Sequence, residues 1–178
     1  MTVFRRISGS ALLLLMASCA KNDLAGLPTN TVAKSSQPYL DHAQPRLRTL
    51  KLWIGAQEMV TELALTPTET STGMMYRKQM DTNEGMLFVF GRPHRTSFYM
   101  RNTVVPLSAA YIDPEGTILE VHDLQPLNEV PVEATSDKIQ YVLETPQGWF
   151  KKNNIGVGTL IRSERGTLRD TFFRKQQQ

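Results

Sequence analysis

The chain has 178 residues, 20 Lys and Arg against 17 Asp and Glu for a formal net charge of +3, and a single cysteine. That length suits one folded domain with its own core, and one cysteine excludes a disulfide within the chain. The small positive excess comes with no basic stripe interleaved with aromatics, so no nucleic-acid partner is expected.

Residues 1–18, MTVFRRISGSALLLLMAS, set Arg5 and Arg6 before an apolar run from Ala11 to Ala17 and then small residues. This is the pattern of a secretory signal peptide, and the run is too short to span a bilayer stably. Cys19 follows directly, and Met16-Ala17-Ser18-Cys19 resembles the lipobox of bacterial lipoproteins, with Met16 standing where leucine is most common. The resemblance implies removal of the leader and lipidation of Cys19 by palmitate-like acyl chains, of which two or more hold a protein on a membrane where one does not. A lone thiol in an oxidising compartment would otherwise stay reactive. The alternative is ordinary cleavage near Ala17 or Ala20 and a soluble periplasmic protein. Ala20 and Lys21, rather than aspartate, imply by the same resemblance a place in the periplasm on the outer membrane. Loss of Arg5 and Arg6 lowers the formal charge from +3 to +1.

Residues 19–46 are rich in Ala, Ser, Asn, Pro and Gln without apolar periodicity, which predicts a flexible tether. Residues 47–162 are the expected domain. The polar tail, 163–178, offers Leu168, Phe172 and Phe173 to a short terminal helix, with disorder as the alternative.

Within the domain, alternation predicts strands over Arg46–Ile54 and Gln57–Leu65, joined at Gly55-Ala56 as a hairpin. Thr66-Pro67-Thr68-Glu69 is a capping box with proline at the first helical position, predicting a helix from Pro67 to about Arg77. Strands follow at Met86–Phe90, ended by Gly91-Arg92-Pro93, and at Thr96–Arg101. Leu107–Ile112 is apolar enough for the interior of a sheet. Asp113-Pro114-Glu115-Gly116 has the residue order of a type I turn and joins it to Thr117–Leu124. A loop over Pro126–Lys138, a strand at Ile139–Thr145, a helical turn or two within Pro146–Asn154 and a last strand at Gly158–Arg162 complete the series. Strands dominate, and no strand-helix alternation argues for a parallel sheet. The expected fold is mostly β: a compact antiparallel β-barrel or sandwich with one or two short helices.

Several segments occur together in one order: Thr72-Gly73-Met74-Met75-Tyr76-Arg77, Gly85-Met86-Leu87-Phe88, Ser97 to Thr103, Pro106-Leu107, the Ile112–Ile118 turn, and Val142-Leu143-Glu144 with Gly148-Trp149. From about Thr49 to Ile161 the chain resembles the bacterial and archaeal family catalogued as domain of unknown function 192. The family usually carries tryptophan at Tyr99, lysine at Arg101 and aspartate at Ser108. The resemblance implies a small mostly β fold, often behind a signal peptide, and implies no activity or cofactor.

The residues themselves offer three readings. Arg77, Arg101, Asn102 and Thr103 could bind a small ligand, a glycan or a partner protein; equally they could form a structural network, with Glu62 and Glu144 as acceptors backing the Arg-Asn-Thr triplet. The same two glutamates are the only candidates for a hydrolase acting on an envelope polymer, as acid or base, and Ser108 removes a carboxylate from that reading. Met86, Met100 and His94 are the candidates for a copper site of soft ligands, against the alternative of ordinary core methionines. Tyr99, Tyr111, Tyr141 and Trp149 could stack sugars or pack the core. No glycine-rich phosphate loop, nucleophile elbow or zinc spacing is present, so no cofactor is expected.

Overall fold

The computed structural model describes residues 37–174. The expected signal peptide, Cys19 and the tether up to residue 36 lie outside the described residues. Ten strands, β1 (Thr49–Ile54), β2 (Gln57–Ala64), β3 (Glu84–His94), β4 (Ser97–Phe98), β5 (Leu107–Ile112), β6 (Ile118–Leu124), β7 (Val132–Glu133), β8 (Ile139–Pro146), β9 (Ile161–Ser163) and β10 (Gly166–Thr167), alternate with three short helices, α1 (Pro67–Thr72), α2 (Trp149–Lys152) and α3 (Leu168–Phe173). Eight strands make one curved sheet in the order β10-β9-β1-β2-β3-β8-β5-β6, and β4 pairs with β7 in a separate ribbon. The fold is mostly β, as expected, and the sheet is not a closed barrel. One corner is drawn together where Thr117 bridges Leu160 and Ile118 N donates to Thr159 O at 2.9 Å.

Both faces of the sheet are covered at β5 and β8 but not at β1, and the strand sequences show why. In β1 every second residue is buried, as for a strand with one solvated face, whereas all six residues of β5 and seven of eight in β8 are buried. One core gathers Leu50, Leu52, Ile54, Leu87, Ala110 and Ile112 under Trp149 and Phe150 of α2 and Leu168 of α3. The other gathers Met86, Phe88, Ala109, Tyr111 and Val142 under Met74, Met100 and the β4–β7 ribbon. Phe98 of the ribbon meets Phe88 edge-on at 4.9 Å, and the Tyr111 hydroxyl donates to Val132 O.

Three details differ from the sequence reading. β2 and β3 are parallel, Glu62 lying beside Met86, because α1 lies in the crossover between them. β3 does not stop at Gly91-Arg92-Pro93 but runs on to His94, and its pairing with β8 shifts register between Val89 and His94. Proline fits there because the ladder is already irregular. The strand predicted over Thr96–Arg101 shortens to Ser97–Phe98, since Met100–Thr103 turns, with Thr103 N donating to Met100 O. Residues 37–46, the end of the expected tether, lie along the domain as a strap. Leu40 N donates to Thr72 Oγ1 at 3.1 Å, the buried Gln44 amide donates to Gly73 O at 2.8 Å, and Leu47 N donates to Glu62 Oε2 at 2.7 Å.

Candidate functional site

The face of the sheet under α1 holds the polar residues singled out in the sequence. α1 starts as its capping box requires: Thr66 Oγ1 accepts from Glu69 N and Glu69 Oε2 accepts from Thr66 N. It ends earlier than expected, at Gly73, whose φ of 47° a side chain rarely adopts. The chain then drops Met74 onto the sheet and swings Arg77 toward β2.

Arg77 and Glu62 form a largely buried bidentate pair, at 2.5 and 2.9 Å, and Glu62 also accepts the Leu47 N–H. Burial alone would raise the Glu62 carboxyl, but the Arg77 guanidinium and the Leu47 amide outweigh it and hold the group below the usual glutamate value. This pair lines an open depression of about 420 Å³ that also includes Arg46, Tyr76, Met80 and Glu84.

Asn102 and Tyr76 form the next contact. Both are non-glycine residues in the left-handed region, at φ 54° and 63°, and they face each other: Tyr76 N donates to Asn102 O and Asn102 Nδ2 donates to the Tyr76 hydroxyl, each at 2.7 Å. Asparagine tolerates this backbone better than most residues. Arg101 points outward to Glu129 at 2.7 Å and lies over the Tyr99 ring. The expected backing of Arg101-Asn102-Thr103 by Glu62 and Glu144 is therefore corrected: Glu62 belongs to Arg77, and Arg101 belongs to Glu129. Of the triplet, only Thr103 is buried, and it lines the second cavity.

That cavity, about 260 Å³, lies between α1, the ribbon and the sheet. Phe88, Phe90, Phe98, Tyr99 and Met74 contribute to its walls, and Glu144 is part of its lining. Glu144 comes from the middle of β8, between Met86 of β3 and Ala109 of β5. Its Oε2 has no hydrogen-bond partner among the described residues, and burial pushes the carboxyl up to about 8. A carboxyl in this setting is a neutral acid at pH 7. The sequence named Glu144 as a candidate but gave no sign that it would be the unpaired one, because its importance comes from burial on both faces of β8.

A family model described as "Uncharacterized ACR" matches residues 51–163. The chain is a member of the DUF192 family. A comparison with curated proteins finds no match. Among solved structures, one from Sinorhizobium meliloti 1021 described as a "putative transcription regulator" is similar at TM-score 0.65 and 28% identity, over 68% of this chain and 98% of that one. Another, a protein of unknown function from Novosphingobium aromaticivorans DSM 12444, is similar at TM-score 0.62 and 27% identity, over 68% of this chain and 89% of that one.

In this DUF192 domain the departure at Ser108 means something other than its sequence suggests. Ser108 shares its strand face with Ala110 and Ile112, in the core opposite Glu144. Its hydroxyl donates to Asp123 Oδ1 and accepts from Gly148 N at 2.9 Å, anchoring the entry to α2. The position therefore has no bearing on the Glu144 cavity, and the carboxylate beside it is supplied by Asp123, directly opposite on β6.

The other sequence candidates separate. Met86 and Met100 are core residues of the DUF192 sheet, while His94 pairs with Ile139 of β8, five positions from the Glu144 that lies beside Met86, roughly 17 Å away at strand spacing. These three cannot share a metal, and no cluster of three His, Cys, Asp or Glu is found among the described residues. Tyr111, Tyr141 and Trp149 are core residues, which leaves Tyr99 as the exposed member of that set. Glu62 and Glu144 share a face but are separated by Met86, about 10 Å apart at two strand spacings, and do not converge on one open cleft. Among the described residues no helix is long and apolar enough to cross a membrane.

Proposed function

We propose that this DUF192 domain is a small-molecule binding module whose site is the cavity over Glu144. What supports the reading is one juxtaposition: a cavity of about 260 Å³, walled largely by aromatic, methionine and hydroxyl side chains, includes in its lining a buried carboxyl with no hydrogen-bond partner. An unpaired buried polar group costs roughly 1–3 kcal/mol, and a ligand that satisfies it recovers that cost. Apolar and aromatic walls with a few placed polar groups are the usual composition of such sites. In this reading Arg101 and Asn102 hold the wall in place, Thr103 contributes to it, and the Arg77–Glu62 pair fixes the strap and α1 beside it.

The hydrolase reading fares less well, because Glu62 is committed to Arg77 and among the described residues no second acidic side chain and no His lines the cavity with Glu144. The description of the Sinorhizobium meliloti relative is not carried over either. The arginines Arg46, Arg77, Arg101 and Arg169 are each tied to an acidic partner rather than offered to a phosphate backbone.

The test is a thermal-shift screen of small molecules against the protein and against Ser71→Phe, which adds a ring at the cavity wall. Hits that raise the midpoint of the native protein and not of the variant support the site; a ligand at a hundred times its Kd stabilises by about 2.7 kcal/mol. A screen with no hit that responds to the Ser71→Phe change refutes it. The leader and Cys19 further support placing this module in the envelope, lipid-anchored on the periplasmic side of the outer membrane. Cys19→Ala should release the protein from the membrane fraction, and unchanged partitioning would overturn the anchor.

A further inference from the structure

We infer that the cavity over Glu144 takes an organic cation, a small amine or quaternary ammonium whose charged nitrogen sits against the Glu144 carboxylate and whose carbon groups lie among Phe88, Phe98 and Tyr99. This rests on the small-molecule reading above and adds the class of ligand.

Three observations converge on a positive charge. The first is the charge inventory of the lining. Glu144 is its only acidic side chain, and no Lys, Arg or His contributes to it. An anionic ligand would find no counter-charge and would face a carboxyl; a cation would find a carboxyl able to give up its proton and pair with it. The second is the aromatic character of the walls. Phe88, Phe90 and Phe98 line the space and Tyr99 stands at its exposed rim, where Arg101 lies over its ring; aromatic ring faces attract cations. Phe88 and Phe98 stand nearly perpendicular, 85° between planes, so an aromatic corner already exists. The third is the orphaned Glu144 Oε2, a buried acceptor left without a donor among the described residues. The volume fits a small molecule, about nine waters' worth at ~30 Å³ each.

Binding must move a proton. In the free protein burial keeps Glu144 protonated at neutral pH. A quaternary ammonium carries no proton of its own, so when it docks the Glu144 O–H bond breaks, the proton leaves to solvent, and the carboxylate pairs with the ligand. The titratable groups nearest Glu144 are bonded to other partners. Tyr111 on β5 donates its hydroxyl to Val132 O, Glu62 on β2 is paired with Arg77, and His122 on β6 is paired with Glu120. Met86, Met74 and Phe98, from the other elements packed here, are neutral.

The experiment is calorimetric titration of the full chain with choline, with 3,3-dimethyl-1-butanol as its uncharged isostere, and with acetate, at pH 5.5, 6.5 and 7.5. Choline should bind, its affinity rising up to tenfold per pH unit with release of one proton, seen as a buffer-dependent enthalpy. The isostere should bind at least tenfold more weakly and independently of pH, and acetate should not bind. Glu144→Gln should abolish the pH dependence and lower choline affinity at pH 7.5 at least tenfold. Phe98→Leu, which keeps the carboxyl, should weaken choline more than the isostere. Equal or tighter binding of the isostere or of acetate overturns the cation assignment while leaving the small-molecule site standing. Failure of all three probes, with the screen still yielding ligands sensitive to Ser71→Phe, also overturns the cation alone. An empty screen removes the site itself.

Discussion

Glu144→Gln should make the protein more stable at neutral pH and flatten its dependence on pH. Glutamine keeps the shape and removes the titration. In the unfolded chain the Glu144 carboxyl ionises near 4.5, while burial in the folded protein pushes it up to about 8. Between these values the folded state holds a proton that the unfolded state has released, so stability is greatest below about 4.5 and falls as pH rises toward 8. One unit of pKa difference corresponds to 1.36 kcal/mol, so the two units from pH 5.5 to 7.5 amount to about 2.7 kcal/mol from this side chain. For a domain of this size that is a midpoint shift on the order of 10 °C. Urea unfolding at four or five pH values, followed by tryptophan fluorescence, measures the difference between native protein and variant. The gap should open steadily across that range in favour of the variant. Parallel profiles from pH 5 to 8, or a variant less stable at pH 7.5, would mean that Glu144 is ionised and paired, and would refute the neutral-acid reasoning.

Other substitutions probe the neighbouring contacts. Arg77→Ala strands a largely buried Glu62 carboxylate and should cost about 3–5 kcal/mol in urea unfolding, with part of the loss recovered in the Arg77→Ala/Glu62→Gln double variant; independent, additive losses would contradict the pairing. Because Glu62 titrates below its usual value, its contribution should be intact at neutral pH and lost only as the solution falls below about 4.5. Asn102→Gly keeps the left-handed backbone and should be milder than Asn102→Ala by about 1 kcal/mol, and equal losses in thermal unfolding would count against backbone strain there. At Gly85 an added methyl would lie 2.7 Å from Met59 Sδ and 2.9 Å from Glu144 O, so Gly85→Ala should cost about 1–3 kcal/mol in urea unfolding, and a neutral result would show that Met59 and β8 can yield around β3. Ser108→Asp places a second carboxylate opposite Asp123 and should destabilise, while Ser108→Asp with Asp123→Ser should restore stability; an unaffected single variant would show the pair to be solvated.

What could be read in the sequence was what depends on neighbours in the chain. The Thr66–Glu69 capping box, the Asp113–Gly116 turn and the wholly buried Leu107–Ile112 strand are local patterns and appear in the structure as such. Non-local contacts were not legible. Nothing in Gln57–Ala64 or Met86–Phe90 marks the two strands as parallel neighbours, because the parallel choice is made by the path of α1 across the sheet. Pro93 reads as a strand terminator until the register shift against β8 makes room for it. The left-handed backbones of Tyr76 and Asn102 support each other across 26 positions of sequence, and neither residue advertises its conformation alone. Glu144 was visible as a charge in an apolar strand. Its isolation was not, since that depends on which residues cover β8 from both sides. Ser108 was misjudged for want of one step that the sequence did permit, namely that alternation along β5 turns it away from Ala109 and Tyr111.

The strap over residues 37–46 ties the amino-terminal side of the domain to the cavity in a mechanical sense. Pro38 is part of the cavity's lining, and the bonds that follow, from Leu40 to Thr72, from Gln44 to Gly73 and from Leu47 to Glu62, fall in sequence order along its length. Tension arriving from the amino-terminal side would load them one after another, as in unzipping, rather than all at once. The first to open would be those on the last turn of α1, the same turn that walls the cavity, well before force reached β1. A protein cut at Leu47 would retain every strand of the sheet and lose this linkage, along with Pro38 from the cavity's lining.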